Sequence, residues 1–169
     1  MSEKRTIGLK SIKIGDIAVD GGMGTVLAAL GITYEGTATL IQDDPEVTEF
    51  FAEELDDPIE ILEKKGSVKI EFAITDFEPA TLAKVLGGLV SGVAPNDKWE
   101  APTDMPSIEK SIEIITKKDV KFEIVRARIV AKLDVNLSKK EMGLVRISAT
   151  IMVPTKAATA PMTISKVAA

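Results

Sequence analysis

The chain contains neither cysteine nor histidine among its 169 residues. The absence of cysteine excludes disulfides, thiolate metal sites and cysteine nucleophiles. The absence of histidine removes the commonest general base and the commonest metal ligand. A serine or threonine nucleophile would then need lysine or a carboxylate as its base, which is a less usual arrangement. We therefore expect a protein without enzymatic activity, with no catalytic residues, no bound metal and no cofactor.

Aromatic residues and long apolar runs are also scarce. Aromatics make up 4% of the chain, so its core must be built mainly from Ile, Val, Leu and Ala. The longest uncharged run, residues 21–34, has 14 residues and four glycines, whereas a membrane helix needs about 20 apolar residues. Residues 1–8 contain no apolar signal core. We expect a protein that stays in the cytoplasm where it is made and that has no membrane partner.

The length of 169 residues fits one domain with a sizeable core. We expect this domain to cover residues 1–169, with extended arms at residues 1–10 and 155–169. The second of these segments is rich in Ala, Thr and Pro, and residues 162–167 within it could instead form a short strand.

Residues 68–88 contain the clearest local pattern. Apolar residues alternate with polar ones from Val68 to Ile74, which is typical of a half-buried strand. The period then changes to that of a helix, with Leu82, Val85, Leu86 and Leu89 on one stripe. Asp76 can accept hydrogen bonds from amides at the helix start, Pro79 suits the first turn, and Gly87-Gly88 allows positive φ at the end. These signals predict a single helix at about residues 77–87.

The other periodic segments predict strands, so the fold should be mainly β with one helix. They cover residues 11–18, 33–42, 47–55, 59–63, 108–116, 120–135 and 144–153. Residues 26–30 fit either a helical turn or a strand. Within residues 120–135 the apolar face shifts at Ile124 and Val125, which predicts a β-bulge or a sharp bend. Trp99, the only tryptophan, lies in the Gly- and Pro-rich residues 87–105 and would cover the edge of the core or contact another subunit.

The charges are strongly polarised along the chain. The net charge is −5, yet residues 43–63 hold ten acids and no base, and residues 117–169 hold eleven bases and four acids. The acidic run, as we call residues 43–63, contains Asp43, Asp44, Glu46, Glu49, Glu53, Glu54, Asp56, Asp57, Glu60 and Glu63. Six basic residues are candidates for a surface complementary to the acidic run: Lys117, Lys118, Lys121, Arg126, Arg128 and Lys132.

Three interpretations of the acidic run remain open. It could be a solvated face, as charge runs usually are. It could take part in head-to-tail association with a basic region of another copy, which would build rings or open stacks. It could also bind calcium through Asp43, Asp44 and Glu46, although the twelve-residue loop with its central glycine is missing. Specific nucleic-acid binding is disfavoured, because the pI is about 4.9. In addition, the basic residues Arg126, Arg128 and Lys132 have no aromatic side chains among them on which nucleobases could stack.

Several segments together resemble the major tail tube protein of phages, a family that is itself similar to the type VI secretion tube protein. Residues 69–88 resemble its strand, acidic cap and helix ending in Gly-Gly. Residues 127–138 with the strand at 144–153 resemble its closing hairpin, and residues 56–60 resemble its acidic strand connection. Over residues 10–155, the predicted elements resemble those of the family in their type and in their order along the chain.

The resemblance implies a two-sheet β-sandwich or flattened barrel flanked by a single helix. It implies a structural subunit of the virion tail, assembled in the host cytoplasm, whose hexameric rings stack into a hollow tube that conducts DNA without binding it specifically. Its partners would be other copies and further tail proteins such as terminator, baseplate and tape measure. The acidic run would then line the lumen or lie at the ring-to-ring face, with the basic residues as its complement.

Two other functions fit the sequence. One is a different β-rich tail component, such as a terminator or connector, which closes as one ring and does not stack. The other is a bacterial β-sandwich that binds a small ligand or calcium, which would be a stable monomer. A hydrolase has no residue in this chain to support it.

Overall fold

Strands account for most of the regular structure in the computed structural model, which describes residues 5–167. The ends of the predicted arms, residues 1–4 and 168–169, lie outside this range. The elements in chain order are β1 (Leu9–Gly15), β2 (Leu27–Ala29), β3 (Thr39–Gln42), β4 (Glu46–Phe51), β5 (Pro58–Lys64), β6 (Val68–Ile74), α1 (Pro79–Leu86), β7 (Leu89–Ser91), β8 (Lys98–Glu100), β9 (Ile108–Thr116), β10 (Val120–Asp134), β11 (Leu144–Ile151) and β12 (Met162–Lys166).

Eight of the strands form one antiparallel sheet. Seven of them follow the order β2-β1-β9-β10-β11-β6-β3, and β12 joins the sheet by pairing with β10. The strands β4 and β5 form a separate two-stranded sheet, and so do β7 and β8. The large sheet curls into a half-barrel. The two small sheets and the helix are the remaining regular elements. The predicted class, a mainly β sandwich or flattened barrel with one helix, is confirmed.

A β-bulge divides β10, the longest strand. On one side β10 pairs with β9 from Lys121 to Ile129, with a register shift between Ile124 and Ala127. On the other side its first half pairs with β12, through Ile124, and its second half pairs with β11, from Ala127 onward. Ile124 and Ala127 are both fully buried. The bulge predicted at Ile124 and Val125 is therefore confirmed, and its effect is to keep both halves of the strand facing the core.

The helix α1 lies within the predicted range of residues 77–87. Pro79 occupies its first turn, and Gly87 and Gly88 follow it with φ of 73° and 89°. The carboxylate of Asp76 accepts a hydrogen bond from the backbone N–H of Glu78, the residue that precedes the helix, rather than from an amide inside it. Leu82 and Val85 are buried against the sheet. Leu89 was expected on the same stripe but begins β7 and is exposed.

The core consists mainly of aliphatic side chains, as the low aromatic content predicts. Its largest fully buried members come from β6, β9, β10 and β11: Ile70, Ile74, Ile112, Ile124, Ile129, Val145 and Ile147. Trp99 on β8 packs against the edge of this core and donates a hydrogen bond from Nε1 to the carbonyl of Gly87, 2.7 Å away. Of the two interpretations of Trp99, the one in which its ring covers the core edge is confirmed.

Two segments differ from the prediction, and two that it left open have a defined structure. The expected strand at 33–42 is broken by Gly36, whose φ is 76°, so only an isolated bridge at Thr33 and the short β3 remain. Residues 26–30, left undecided, contain strand β2. Residues 87–105, read as irregular, contain the hairpin of β7 and β8. The tail forms β12 rather than an arm along residues 162–166. Across residues 5–167, α1 falls well short of the length and apolarity that crossing a bilayer requires.

Candidate interaction surface

The acidic run lies mostly on one projecting hairpin, which we call the acidic hairpin and define as residues 46–64. It consists of β4, β5 and the turn that joins them. In the described part of the chain these two strands pack on each other and on no other strand or helix to any comparable extent. An isolated two-stranded hairpin is marginally stable in water. The acidic hairpin is thus a protrusion without a core of its own.

Large apolar side chains are exposed all along the acidic hairpin. They are between 44% and 60% exposed, a range that a strand facing a core does not show: Val47, Phe50, Phe51, Leu55, Ile59, Ile61 and Leu62. Contiguous exposed apolar surface on a folded protein marks an interaction site far more often than scattered single residues do. The exposed apolar side chains make the hairpin a candidate interaction surface.

Both faces of the acidic hairpin combine acids with apolar groups. Directly paired residues of antiparallel strands share a face. On one face Glu49 lies opposite Ile61, and on the other Phe50 lies opposite Glu60. A hairpin that covered a core would keep its polar residues on one face only. This one offers carboxylates and apolar side chains together on either side, which suits a partner surface with a basic rim and an apolar floor.

Most of the acids in the run have no partner within the described residues. Glu46 forms an exposed ion pair with Lys64 at 3.7 Å, and Asp43 forms one with Lys69 at 3.0 Å. The remaining eight acids form no ion pair among residues 5–167: Asp44, Glu49, Glu53, Glu54, Asp56, Asp57, Glu60 and Glu63. No group of three or more carboxylates that could hold a metal occurs in the described range, so Asp43, Asp44 and Glu46 do not assemble into the calcium site considered above.

The root of the acidic hairpin is fixed to the large sheet. The hydroxyl of Ser67 donates a hydrogen bond to Asp43, and the backbone N–H of Asp43 donates to the carbonyl of Ser67 at 2.8 Å. The Ser67 hydroxyl and the Lys69 ammonium hold the pKa of Asp43 below its ordinary value. A Cβ at Gly66 would lie 1.8 Å from the carbonyl oxygen of Asp43, so this close approach requires glycine. The hairpin is therefore anchored at one end and exposed along the rest of its length.

The six candidate basic residues do not form one free face. Arg126 binds Glu109 through two hydrogen bonds, Nε to Oε2 at 2.7 Å and Nη2 to Oε1 at 3.0 Å, and Lys121 binds Glu123 at 2.9 Å. The hydrogen bonds raise the pKa values of Arg126 and Lys121. These two cations are therefore already neutralised within the chain.

The other four basic residues are exposed but divide into two places. Arg128 and Lys132 lie on the outward face of β10, in its second half. Lys117 and Lys118 lie in the turn between β9 and β10, at the opposite end of that strand. None of the four takes part in an ion pair within residues 5–167. The turn lysines lie beside Ile164, which is 59% exposed, and Arg128 and Lys132 flank Val130, which is 42% exposed.

The large sheet also has unpaired edges. Within the described residues, β2 and β3 end the strand order, and β12 pairs only with β10. All four residues of β3 are exposed, as are the last four of β12. Free strand edges offer backbone N–H and C=O groups to a strand from another chain.

No family model matches the chain, and no curated protein matches it.

Sequence reasoning missed the apolar half of this surface. The residues that it did not select are Phe50, Phe51, Ile59, Ile61 and Leu62 on the hairpin, together with Phe122, Ile164 and Lys166 near the turn lysines. A signal was present, because the segment at 47–55 alternates acid with apolar residues on a single face. That mixture is atypical of a strand that covers a core.

Proposed function

We propose that this chain is a non-enzymatic structural subunit that associates with copies of itself into stacked rings, forming the hollow tail tube of a phage or phage-like particle through which DNA passes. The observation that carries the proposal is the acidic hairpin, whose seven large apolar side chains are 44–60% exposed beside unpaired carboxylates. A surface of this kind gains stability when another protein surface covers it. The resemblance of residues 69–88 to the tail tube family supports the identity of the assembly.

The free sheet edges support self-association within a ring. A strand of a neighbouring subunit can add to the edge of β2, β3 or β12 through backbone hydrogen bonds, and side chains on either side of the strand then supply specificity. A half-barrel with unpaired edges is also the shape from which several copies can build a larger continuous barrel. Subunits joined in this way would form the wall of the tube.

Charge supports the conducting role. Each chain has a net charge of −5, so an assembly of many copies is acidic as a whole and repels the phosphate backbone of DNA, which then moves without adhering. The scarcity of nucleophile-and-base combinations supports a purely structural role. The partners of the assembled tube would be further copies of the chain and other tail proteins.

The proposal is tested by electron microscopy of the purified protein. At high concentration in low-salt buffer we expect stacked rings of uniform width in negative stain. The triple variant Glu49→Lys, Glu53→Lys, Glu54→Lys should stay folded by circular dichroism and fail to form tubes. A matched control, Glu35→Lys, Asp104→Lys, Glu141→Lys, changes three exposed acids elsewhere by the same charge and should assemble as the unmodified chain does.

The results that overturn the proposal are equally concrete. Tubes of ordinary length from the Glu49, Glu53 and Glu54 variant would show that these acids have no part in assembly. Single closed rings that never stack would instead support a terminator or connector. A chain that stays monomeric in sedimentation at millimolar concentration would exclude a tube subunit altogether.

A further inference from the structure

A groove with an apolar floor and a basic rim lies where β12 meets the turn between β9 and β10. Its volume is about 660 Å³. Val120, Phe122 and Ile164 supply its apolar lining, and Ile164 is 59% exposed. Its cationic side chains are Arg5, Lys117, Lys118 and Lys166, and its one acid is Asp119. We call this the basic groove.

Backbone hydrogen bonds hold the basic groove in shape. In the turn, Asp119 adopts a left-handed φ of 57°, and its N–H donates to the carbonyl of Thr116 at 3.0 Å. The hydroxyl of Thr116 accepts a hydrogen bond from the N–H of Val120. The N–H of Val167 donates to the carbonyl of Asp119 at 2.8 Å, which ties the end of β12 to the turn. The groove is therefore a built feature and not a gap between loose segments.

Three lysines of the basic groove are available to a partner. Asp119, the one acid, is occupied by Lys10 at 3.1 Å. Lys117, Lys118 and Lys166 form no ion pair within residues 5–167 and are exposed. The far edge of β12 has no strand beside it in the described part of the chain. The site thus combines an apolar floor, several cations and a free strand edge.

The acidic hairpin of the same sequence has the complementary properties. It carries eight acids and one base, has apolar side chains on both faces, and consists of strands whose outer edges are unpaired. From this match we infer that the acidic hairpin of one copy docks in the basic groove of a second copy. The inference rests on the proposed function only in requiring that copies associate, and it names the two surfaces that meet.

The contact is heterologous, since two different surfaces of the chain meet in it. A contact of that type builds a closed ring when the rotation between successive copies allows closure, and an open stack when it does not. It therefore places the acidic run between subunits rather than on the channel wall. Complementary potentials would orient the approaching copies and speed their association at low salt.

Disulfide trapping tests the contact, because the chain contains no cysteine to interfere. The variant Ile164→Cys is mixed with Phe50→Cys or with Ile61→Cys, which lie on opposite faces of the hairpin, and the mixture is oxidised. A disulfide forms only when the two Cα atoms come within about 7 Å. The matched control pairs Ile164→Cys with Leu137→Cys, an exposed position far along the chain from both surfaces.

In non-reducing gels we expect Ile164→Cys to form a cross-linked dimer with at least one of the hairpin variants, Phe50→Cys or Ile61→Cys. We expect no such dimer when Ile164→Cys is mixed with Leu137→Cys. An equal yield from the control would overturn the inference, as would no cross-link with either hairpin position in protein that assembles. Internal cross-linking within one chain carrying both cysteines, without oligomers, would also overturn it. An unmodified chain that never assembles would instead contradict the proposed function itself.

Charge exchange gives an independent test. Reversing the groove with Lys117→Glu, Lys118→Glu should weaken association by at least about tenfold, and reversing the hairpin with Glu53→Lys, Glu54→Lys should do the same. Mixing the two variants restores matched surfaces, so assembly should return. Lys139→Glu, Lys140→Glu is the control with the same charge change in another exposed loop. The inference would be contradicted if the groove variant associated as strongly as the unmodified chain, or if mixing the groove and hairpin variants did not restore assembly.

Discussion

The hydroxyl of Ser111 donates a hydrogen bond to the backbone carbonyl of Val125 at 2.7 Å, directly at the bulge of β10. Because the ladder between β9 and β10 is interrupted between Ile124 and Ala127, that carbonyl depends on a side chain for its partner. The same hydroxyl accepts a hydrogen bond from the N–H of Gly24 at 2.9 Å. Ser111 is fully buried, so one side chain satisfies two backbone groups and joins the loop before β2 to the sheet.

We predict that Ser111→Ala lowers the free energy of unfolding by about 2–4 kcal/mol, because it leaves a buried carbonyl and a buried N–H without partners. Denaturant unfolding followed by circular dichroism measures the change. Ser148→Ala is the matched control on β11, since Ser148 makes no side-chain hydrogen bond in the described structure, and it should change stability by less than about 0.5 kcal/mol. Equal effects of the two substitutions would show that the bulge does not depend on Ser111.

The pair of Glu109 and Arg126 predicts an acid-sensitive contribution to stability. Hydrogen bonds from the Arg126 guanidinium hold the pKa of Glu109 below its ordinary value. A carboxyl whose pKa is lower in the folded than in the unfolded chain stabilises the fold above the unfolded pKa, about 4.3 for glutamate. That stabilisation is lost as the pH falls through the lower, folded-state pKa.

Thermal melting of the unmodified chain and of Glu109→Gln measures this contribution. The unmodified chain should melt at the higher temperature at neutral pH. The difference should shrink as the pH falls below about 4.3, where the unfolded chain takes up its proton first, and should vanish below the lowered pKa of folded Glu109. A difference in melting temperature that stays constant down to the lowest pH would contradict the assignment.

Trp99 predicts a link between the helix end and the β7–β8 hairpin. Trp99→Phe keeps a ring against the core but removes the hydrogen bond to the carbonyl of Gly87. The expected loss of stability is about 1–2 kcal/mol, since one partly buried acceptor loses its partner. Thermal melting by circular dichroism measures it, and a loss below about 0.3 kcal/mol would show that solvent replaces the indole N–H.

The exposed apolar residues of the acidic hairpin predict a separation between stability and assembly. Phe50→Ser, Ile61→Ser should leave the melting temperature of the monomer nearly unchanged, because both side chains are exposed in the single chain. The same variant should fail to assemble at both low and high salt. The unmodified chain should assemble less as the ionic strength rises from about 0.05 M to 0.5 M, because salt screens the charges. Light scattering follows both effects, and salt-independent assembly would contradict the charged contact.

Local patterns were sufficient for much of the fold. The period of two on β6 and β9 and the stripe of Leu82 and Val85 on α1 are set by burial against one sheet, which the sequence reports directly. The shift at Ile124 and Val125 is likewise local, since two adjacent apolar residues can face one core only across a bulge. Short elements were harder. The strand ending at Gln42 was overestimated because Gly36 interrupts it, and β7 and β8 lie among glycines and prolines that favour turns.

The interaction surface was only partly predictable, because it depends on register between strands distant in sequence. Nothing local indicates that Arg126 is paired with Glu109, seventeen residues earlier, whereas Lys117 and Lys118 stay free. The exposure of Phe50 and Ile61 was hidden for the opposite reason, since alternation alone does not tell whether the apolar side of a strand meets its own core or another molecule. The structure places eight of the ten acids of the run on the acidic hairpin, and the sequence did not single out the apolar side chains beside them.

The change of neighbours along β10 makes the carboxyl-terminal strand separable from the rest of the sheet. Fraying of β12 would break only the ladder to residues 120–124, while the ladder from Ala127 to β11 stays closed. Amide protons along β12 should therefore exchange with deuterium through a local opening of the strand. Amide protons between β10 and β11 should exchange only through global unfolding, which costs more free energy. A molecule organised in this way can open briefly at its last strand and still keep its folded body.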